Sequence, residues 1–169
     1  KKDFISKFKN NLNLHPSYLP YNRGRDPYYF SIMDNTPVGV CIHRMDETVD
    51  GGKYYLKKKI FVKFPTTAGV IFEQSLYEIK KLFLKNWIKI RNDKIKIKKF
   101  KPKIKKINKR KMLIKNNFLI LDNKKNIKEK NFVLNCLAQD FPFLKQQIKL
   151  YGNIYDCKII LKQSVKKKW

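Results

Sequence analysis

Two histidines, His15 and His43, and three cysteines, Cys41, Cys136 and Cys157, are the side chains best suited to nucleophilic or metal chemistry in this chain. Cys41 and His43 would share one face of a strand, because side chains alternate there. No third ligand or base stands near them in sequence, and a zinc site or an activated thiolate needs one. The cysteines form no Cys-x-x-Cys pair, which reads as reduced thiols. Gly51-Gly52-Lys53 lacks the spacing and the following Ser or Thr of a phosphate loop and reads as a hairpin turn. The 13 acids are scattered, with no pair placed for general acid and base work. This inventory predicts a protein that is not an enzyme, with no catalytic residues, metal, cofactor or small-molecule substrate.

The chemistry that the composition does support is phosphate neutralisation. The chain has 169 residues, 40 Lys plus Arg against 13 Asp plus Glu, and a formal charge of +27. Only five of the cations are Arg, and Asn, Ile, Phe and Tyr are abundant, so part of the lysine reflects a genome poor in G and C. Drift alone would spread evenly, yet residues 10–79 are nearly neutral while residues 80–115 hold 17 basic side chains and the single acid Asp93. Such a block predicts a polyanion partner. Its candidate phosphate contacts are Lys94, Lys96, Lys98, Lys99, Lys101, Lys103, Lys105, Lys106, Lys109, Arg110 and Lys111, with Arg23 and Arg25 as a second group. Lysines at this spacing carry no base-reading logic, so the binding would follow the backbone.

The elements that must position these residues suggest an α+β fold, a small antiparallel or mixed sheet packed by two or three helices, with basic extensions. Residues 1–26, broken by Pro16, Pro20 and Gly24, read as an extended segment laid on a surface. Tyr28 to Ile32 and Val38 to Ile42 read as strands joined by the Asp34-Asn35-Thr36-Pro37 turn, and Lys53 to Phe64 as a third. Phe72, Leu76, Ile79 and Phe83 recur at helical spacing, predicting a helix from Ala68 to Trp87 capped by a threonine. Residues 91–115 read as a basic arm interrupting a single domain over 27–141. Phe118 to Leu121 suggests a strand, Asn126 to Gln139 a helix, and residues 142–169 an extension with a helix to Leu150 and a strand over Ile154 to Leu161. No stretch approaches the length of a membrane span. The chain opens at Lys1 without a methionine, which fits a removed leader.

This order resembles one known family, the mitochondrial large-subunit ribosomal proteins numbered forty-nine, whose domain is similar to the SUI-type initiation-factor fold. The resemblance is carried by Pro27-Tyr28-Tyr29-Phe30, Asn35-Thr36-Pro37-Val38, Gly51-Gly52-Lys53 and Leu56-Lys57-Lys58-Lys59-Ile60, and further on by Phe118 to Leu121, Lys125-Asn126-Ile127 and Asp140-Phe141. It implies a structural constituent of the large subunit in a mitochondrial matrix, or alternatively a plastid, with ribosomal RNA and neighbouring ribosomal proteins as partners. An accessory subunit of an organellar membrane complex and a nucleic-acid-processing factor are the alternatives.

Overall fold

The computed structural model describes residues 5, 7–8, 11–101, 104–114, 118–120, 129–142 and 145–162. Lys103, Lys125-Asn126-Ile127 and the basic tail ending at Trp169 lie outside the described residues.

The architecture is α+β and its main sheet is antiparallel. Four strands run in the order β1 (Leu12–His15), β3 (Gly39–Arg44), β4 (Lys53–Lys59), β5 (Lys98–Lys99). A short parallel pair joins β2 (Arg23–Gly24) to β6 (Ile107–Asn108). A second, mixed sheet holds β7 (Phe118–Ile120), β8 (Gln146–Leu150) and β9 (Asn153–Cys157). Four helices appear among the described residues: α1 (Pro27–Met33), α2 (Ala68–Arg91), α3 (Arg110–Ile114) and α4 (Glu129–Gln139).

Several local expectations are corrected. The Tyr28 to Ile32 run forms helix α1 and not a strand. Its aromatic residues have strand propensity, but Pro27 occupies the first helical turn, where its fixed φ and missing N–H fit. Packing then overrides propensity: Tyr28 stacks on Phe141 at 4.5 Å, and Phe72 of α2 meets both rings edge-on. The N-terminal segment is not merely laid on a surface, because Leu12–His15 is hydrogen-bonded into the sheet. The helix expected up to Leu150 is the hairpin β8–β9, turning at Tyr151-Gly152.

Helix α2 starts as anticipated, with the Val70 N–H donating to Thr67 Oγ1, and runs beyond Trp87 to Arg91. Its inner face is rotated one position from the expected stripe. Ile71, Ser75, Ile79 and Ile90 are buried, whereas Leu76 is exposed and Phe72, Phe83 and Trp87 are partly buried against the core. Ile71, Ser75 and Ile79 follow one another at four-residue spacing, and a serine at the centre disguises the stripe.

The basic stretch is built into the fold. Ile95 and Ile97 pack on the main core, and Phe100 is buried, stacked on Tyr54 at 4.9 Å. Its lysines stay outside while alternate apolar residues turn inward, which a period-two pattern achieves once a strand edge is available. Its far end returns to the N-terminal segment, where Gly24 lies so close to Asn108 that a Cβ would sit 2.2 Å from the Asn108 carbonyl oxygen. Gly24 has φ +94, so this approach requires glycine twice over.

Candidate active site

The register of β1 on β3 pairs Asn13 with His43 and His15 with Cys41. Alternation places all four side chains on one sheet face, leaving Leu12, Leu14 and Ile42 on the other. Ile42 belongs to the helix-packed core, so the polar face is the one turned from the helices. The third group that the Cys41–His43 pair lacked in sequence comes from two places: Asn13 and His15 on the neighbouring strand, and Asp50 from the loop between β3 and β4.

Asp50 is the hub. Its Oδ1 lies 3.4 Å from Asn13 Nδ2, which donates to it, and 3.5 Å from His43 Nε2. Its Oδ2 accepts the Gly24 N–H at 2.9 Å and lies 3.7 Å from His15 Nε2. The carboxyl is held below the usual carboxylate range. Burial pushes it up, and the interactions with His43, His15 and the Gly24 N–H together outweigh that. Asp50 is therefore ionised at neutral pH.

His15 is buried and moves the other way. Desolvation lowers its pKa, with His43 adding to the fall, while Asp50 and a backbone hydrogen bond at Asn22 oppose it. The ring is thus neutral at pH 7. Its Nε2 has no hydrogen-bond partner, and Asn22 engages the other nitrogen, so Nε2 presents a lone pair to the site. Asn22 itself is fixed to α1, its amide donating to Ser31 Oγ at 3.0 Å and Thr36 Oγ1 at 2.6 Å. Cys41 is fully buried and its thiol is pushed up to about 12 by desolvation, so it is not a nucleophile.

A cavity of about 820 Å³ begins at Gly51, next in sequence to Asp50, although Asn13, His15 and Asp50 do not themselves line it. Phe8, Phe100 and Ile104 give it apolar walls, Lys53, Lys99 and Lys105 a basic rim, and Gly51-Gly52 a floor continuous with Asp50. Gly52 has φ +71, and an added Cβ would fall 1.8 Å from Asp46 Oδ2, so a larger residue there strains the backbone and displaces the Asp46 carboxylate.

The expected phosphate contacts that are described stand in several settings. Lys94, Lys96, Lys98, Lys99, Lys101 and Lys105 are exposed along the stretch, Lys99 and Lys105 at the cavity rim. Lys106 is paired with Asp34. Arg110 donates from Nε to Asp26 Oδ2 at 3.1 Å and from its terminal nitrogen to Oδ1 at 2.6 Å. Arg23 donates to the Val49 and Ile104 carbonyls, bracing the Asp50 loop against the basic stretch. Lys109, Lys111 and Arg25 are exposed. Sequence reasoning missed Asn13, His15 and Asp50 as a set. The available signal was density: Asn13, His15, Pro16, Ser17, Pro20, Arg23 and Gly24 crowd polar and conformationally restricted residues into one short run, with Asp50-Gly51-Gly52 downstream.

Comparison with known proteins gives the family of the segment that holds this cluster. Residues 1–85 match the family described as Formyl transferase. The dTDP-4-amino-4,6-dideoxyglucose formyltransferase of Mycobacterium tuberculosis is 32% identical over 81 residues, covering 48% of this chain and 35% of that protein. A 4-N formyltransferase from Francisella tularensis has the same fold, with a TM-score of 0.85 at 23% identity, over 97% of this chain and 67% of that one. The formyltransferase PseJ from Anoxybacillus kamchatkensis, solved in complex with UDP-4,6-dideoxy-4-formamido-L-AltNAc and tetrahydrofolate, has a TM-score of 0.65 at 29% identity, over 80% of this chain and 69% of that one. The chain spans about a third of the length of the curated relative.

These findings overturn the ribosomal reading and its rivals. The relatives are formyltransferases, named for amino sugars or for methionyl-tRNA, and not structural constituents binding ribosomal RNA and neighbouring ribosomal proteins. The weak motifs behind the ribosomal resemblance are accounted for differently by the structure: the Pro27-Tyr28-Tyr29-Phe30 run lies in a helix, and Gly51-Gly52 follows the hub carboxylate. The matched segment carries Asn13, His15 and Asp50, and the chain belongs to the formyl transferase family.

Proposed function

We propose that this chain carries the transfer site of an N-formyltransferase that moves a formyl group from a tetrahydrofolate donor to a primary amine on a nucleotide-linked sugar. The observation that carries the reading is the convergence of Asn13 and His15 of one sheet face on Asp50, whose neighbours Gly51 and Gly52 line an open cavity. The amino sugar for which the Mycobacterium tuberculosis relative is named and the formamido sugar bound to the Anoxybacillus enzyme favour that acceptor class.

Each residue has a part that follows from its surroundings. Transfer joins the amine nitrogen to the formyl carbon and breaks the bond from that carbon to the donor nitrogen. The carbonyl oxygen gains negative charge between these events, and the amine must lose a proton. Asn13 spends one amide N–H on Asp50 and keeps the second to donate to the developing oxyanion. His15 offers Nε2 as the general base and returns the proton to the departing nitrogen. Asp50 fixes the Asn13 amide and stabilises the imidazolium that His15 becomes, as a carboxylate does beside a catalytic imidazole. A tetrahydrofolate donor supplies the activated formyl group when bound. The cavity suits it: Phe8, Phe100 and Ile104 match a flat heteroaromatic ring, and Lys53, Lys99 and Lys105 match an anionic tail.

The test is direct assay of the full chain with 10-formyltetrahydrofolate and a panel of nucleotide-linked 4-amino sugars. The expected product is the formamido sugar with release of tetrahydrofolate. Its absence across the panel contradicts the proposal.

A further inference from the structure

Asp50 faces two imidazoles, and only one has been given a task. His43 is buried at 2% exposure and stands across the register from Asn13. The pairing of β3 with β4 shifts between Ile42 and His43, an irregularity of the kind that re-aims a side chain beside a site. His43 is aimed at Asp50, Nε2 3.5 Å from Oδ1, with its ring edge-on to His15 at a centroid distance of 6.0 Å.

The ring's other end settles where its first proton lies. Nδ1 is 3.1 Å from the Arg44 carbonyl oxygen, which can only accept, so Nδ1 carries hydrogen. Nε2 lies 3.5 Å from Asp50 Oδ1 and has no hydrogen-bond partner, as His15 Nε2 has none at 3.7 Å from Oδ2, so the carboxylate is set between the two imidazoles with one ring on each oxygen.

We infer that His43 is a positioning residue: buried, edge-on to His15 and facing Asp50 Oδ1, it holds the carboxylate where Asn13 and His15 meet it and leaves the His15 Nε2 lone pair free to act as base. The role of His15 in this inference rests on the transfer mechanism proposed above. Without His43, Asp50 would draw a proton onto His15 and occupy the lone pair that the reaction uses. The other charged or titratable groups around the pair do not substitute for it. Cys41 is a buried thiol on the same strand, and Tyr54 is the β4 register partner of His43. Arg23 is committed to the Val49 and Ile104 carbonyls, and Lys57 to the Leu19 carbonyl.

Two variants of the full chain separate this role from simple packing. His43→Leu fills the space without a donor, and His43→Gln offers an amide N–H toward Oδ1. The first readout needs no substrate: the His15 ring is titrated by nitrogen-15 NMR. The His15 midpoint moves to higher pH in His43→Leu and stays nearer wild type in His43→Gln. The second readout is transfer, where His43→Leu lowers kcat about tenfold to a hundredfold, part of the roughly 10²- to 10⁴-fold that a positioned acid–base group supplies, with KM nearly unchanged. His43→Gln recovers most of that loss. A His15 midpoint indifferent to His43→Leu overturns the inference, as does a loss confined to KM. Absence of transfer by the wild type contradicts the proposed function instead, and the NMR titration still decides whether His43 governs the protonation of His15.

Discussion

Asn13 donates from Nδ2 to Asp50 Oδ1 at 3.4 Å across 37 positions of chain, joining the edge strand of the main sheet to the loop that follows β3. This one bond orients an amide and a carboxylate together, and the proposed mechanism depends on both. Replacing Asn13 by Ala removes the oxyanion donor and frees the loop. We expect kcat to fall about 10²- to 10³-fold, the usual loss for one such donor, with KM changed only a few-fold. Steady-state kinetics of Asn13→Ala beside wild type measure it; an equal fall assigned wholly to KM would show that Asn13 merely binds substrate.

The pH dependence has a definite sign. The folded pKa of His15 lies below its ordinary value of 6.5, chiefly through burial. The acid limb of kcat/KM, which reports the free enzyme, is therefore expected below pH 6.5. Stability follows the same direction. The unfolded chain takes up a proton on this histidine near 6.5 while the folded chain resists, so stability declines as pH falls through the interval between the unfolded and folded values. Asp50, depressed below 3.8, adds stability above that value that is lost as pH falls through its folded pKa. Urea unfolding from pH 8 to 4 should show wild type losing more stability than His15→Gln.

Gly52 tests the loop that carries Asp50. At φ +71, with Asp46 Oδ2 only 1.8 Å from the position of an added Cβ, Gly52→Ala combines backbone strain with a steric clash. The expected cost is about 1–3 kcal/mol, read by urea unfolding, together with a fall in transfer rate as Asp50 shifts. Unchanged stability would mean that the loop relaxes freely and does not define the site.

Arg110 is the test of how the basic stretch is used. Asp26 is almost fully buried, with its side chain at 2% exposure, and Arg110, at 43%, is bonded to both of its oxygens. Arg110→Ala leaves that carboxylate uncompensated except by the Tyr28 hydroxyl. Since the guanidinium is largely solvated, the cost is discounted to about 2 kcal/mol, well under the value for a fully buried pair. Lys94→Ala, at an exposed position, should leave stability within about 0.5 kcal/mol of wild type.

The fold was more legible than the site. The helix from Ala68, its threonine cap and the strands around Val40 and Leu56 could be read because periodicity and capping are local. Helix α1 could not, since the aromatic residues of Tyr28 to Ile32 favour a strand until Phe72 and Phe141 pack on them. His15 was hidden by its context. A four-residue edge strand has no room to show alternation, and its partners arrive from Asn22, across a loop, and from Asp50, far along the chain. Asp50 reads as one of the scattered acids; the contacts with Asn13, His15 and the Gly24 N–H reveal it as a hub. The lysine content drew attention to residues 80–115, whose alternate apolar residues instead pack on the core and wall the cavity.

The central claim, that Asn13, His15 and Asp50 transfer a formyl group, is tested most directly by measuring tetrahydrofolate release and formamido-sugar formation by the full chain and by Asp50→Asn. The account predicts stoichiometric release and product with the wild-type chain, and a rate at least about 10²-fold lower with Asp50→Asn, which keeps the shape but loses the carboxylate. Transfer by Asp50→Asn at the wild-type rate, or none by the wild-type chain, would contradict it.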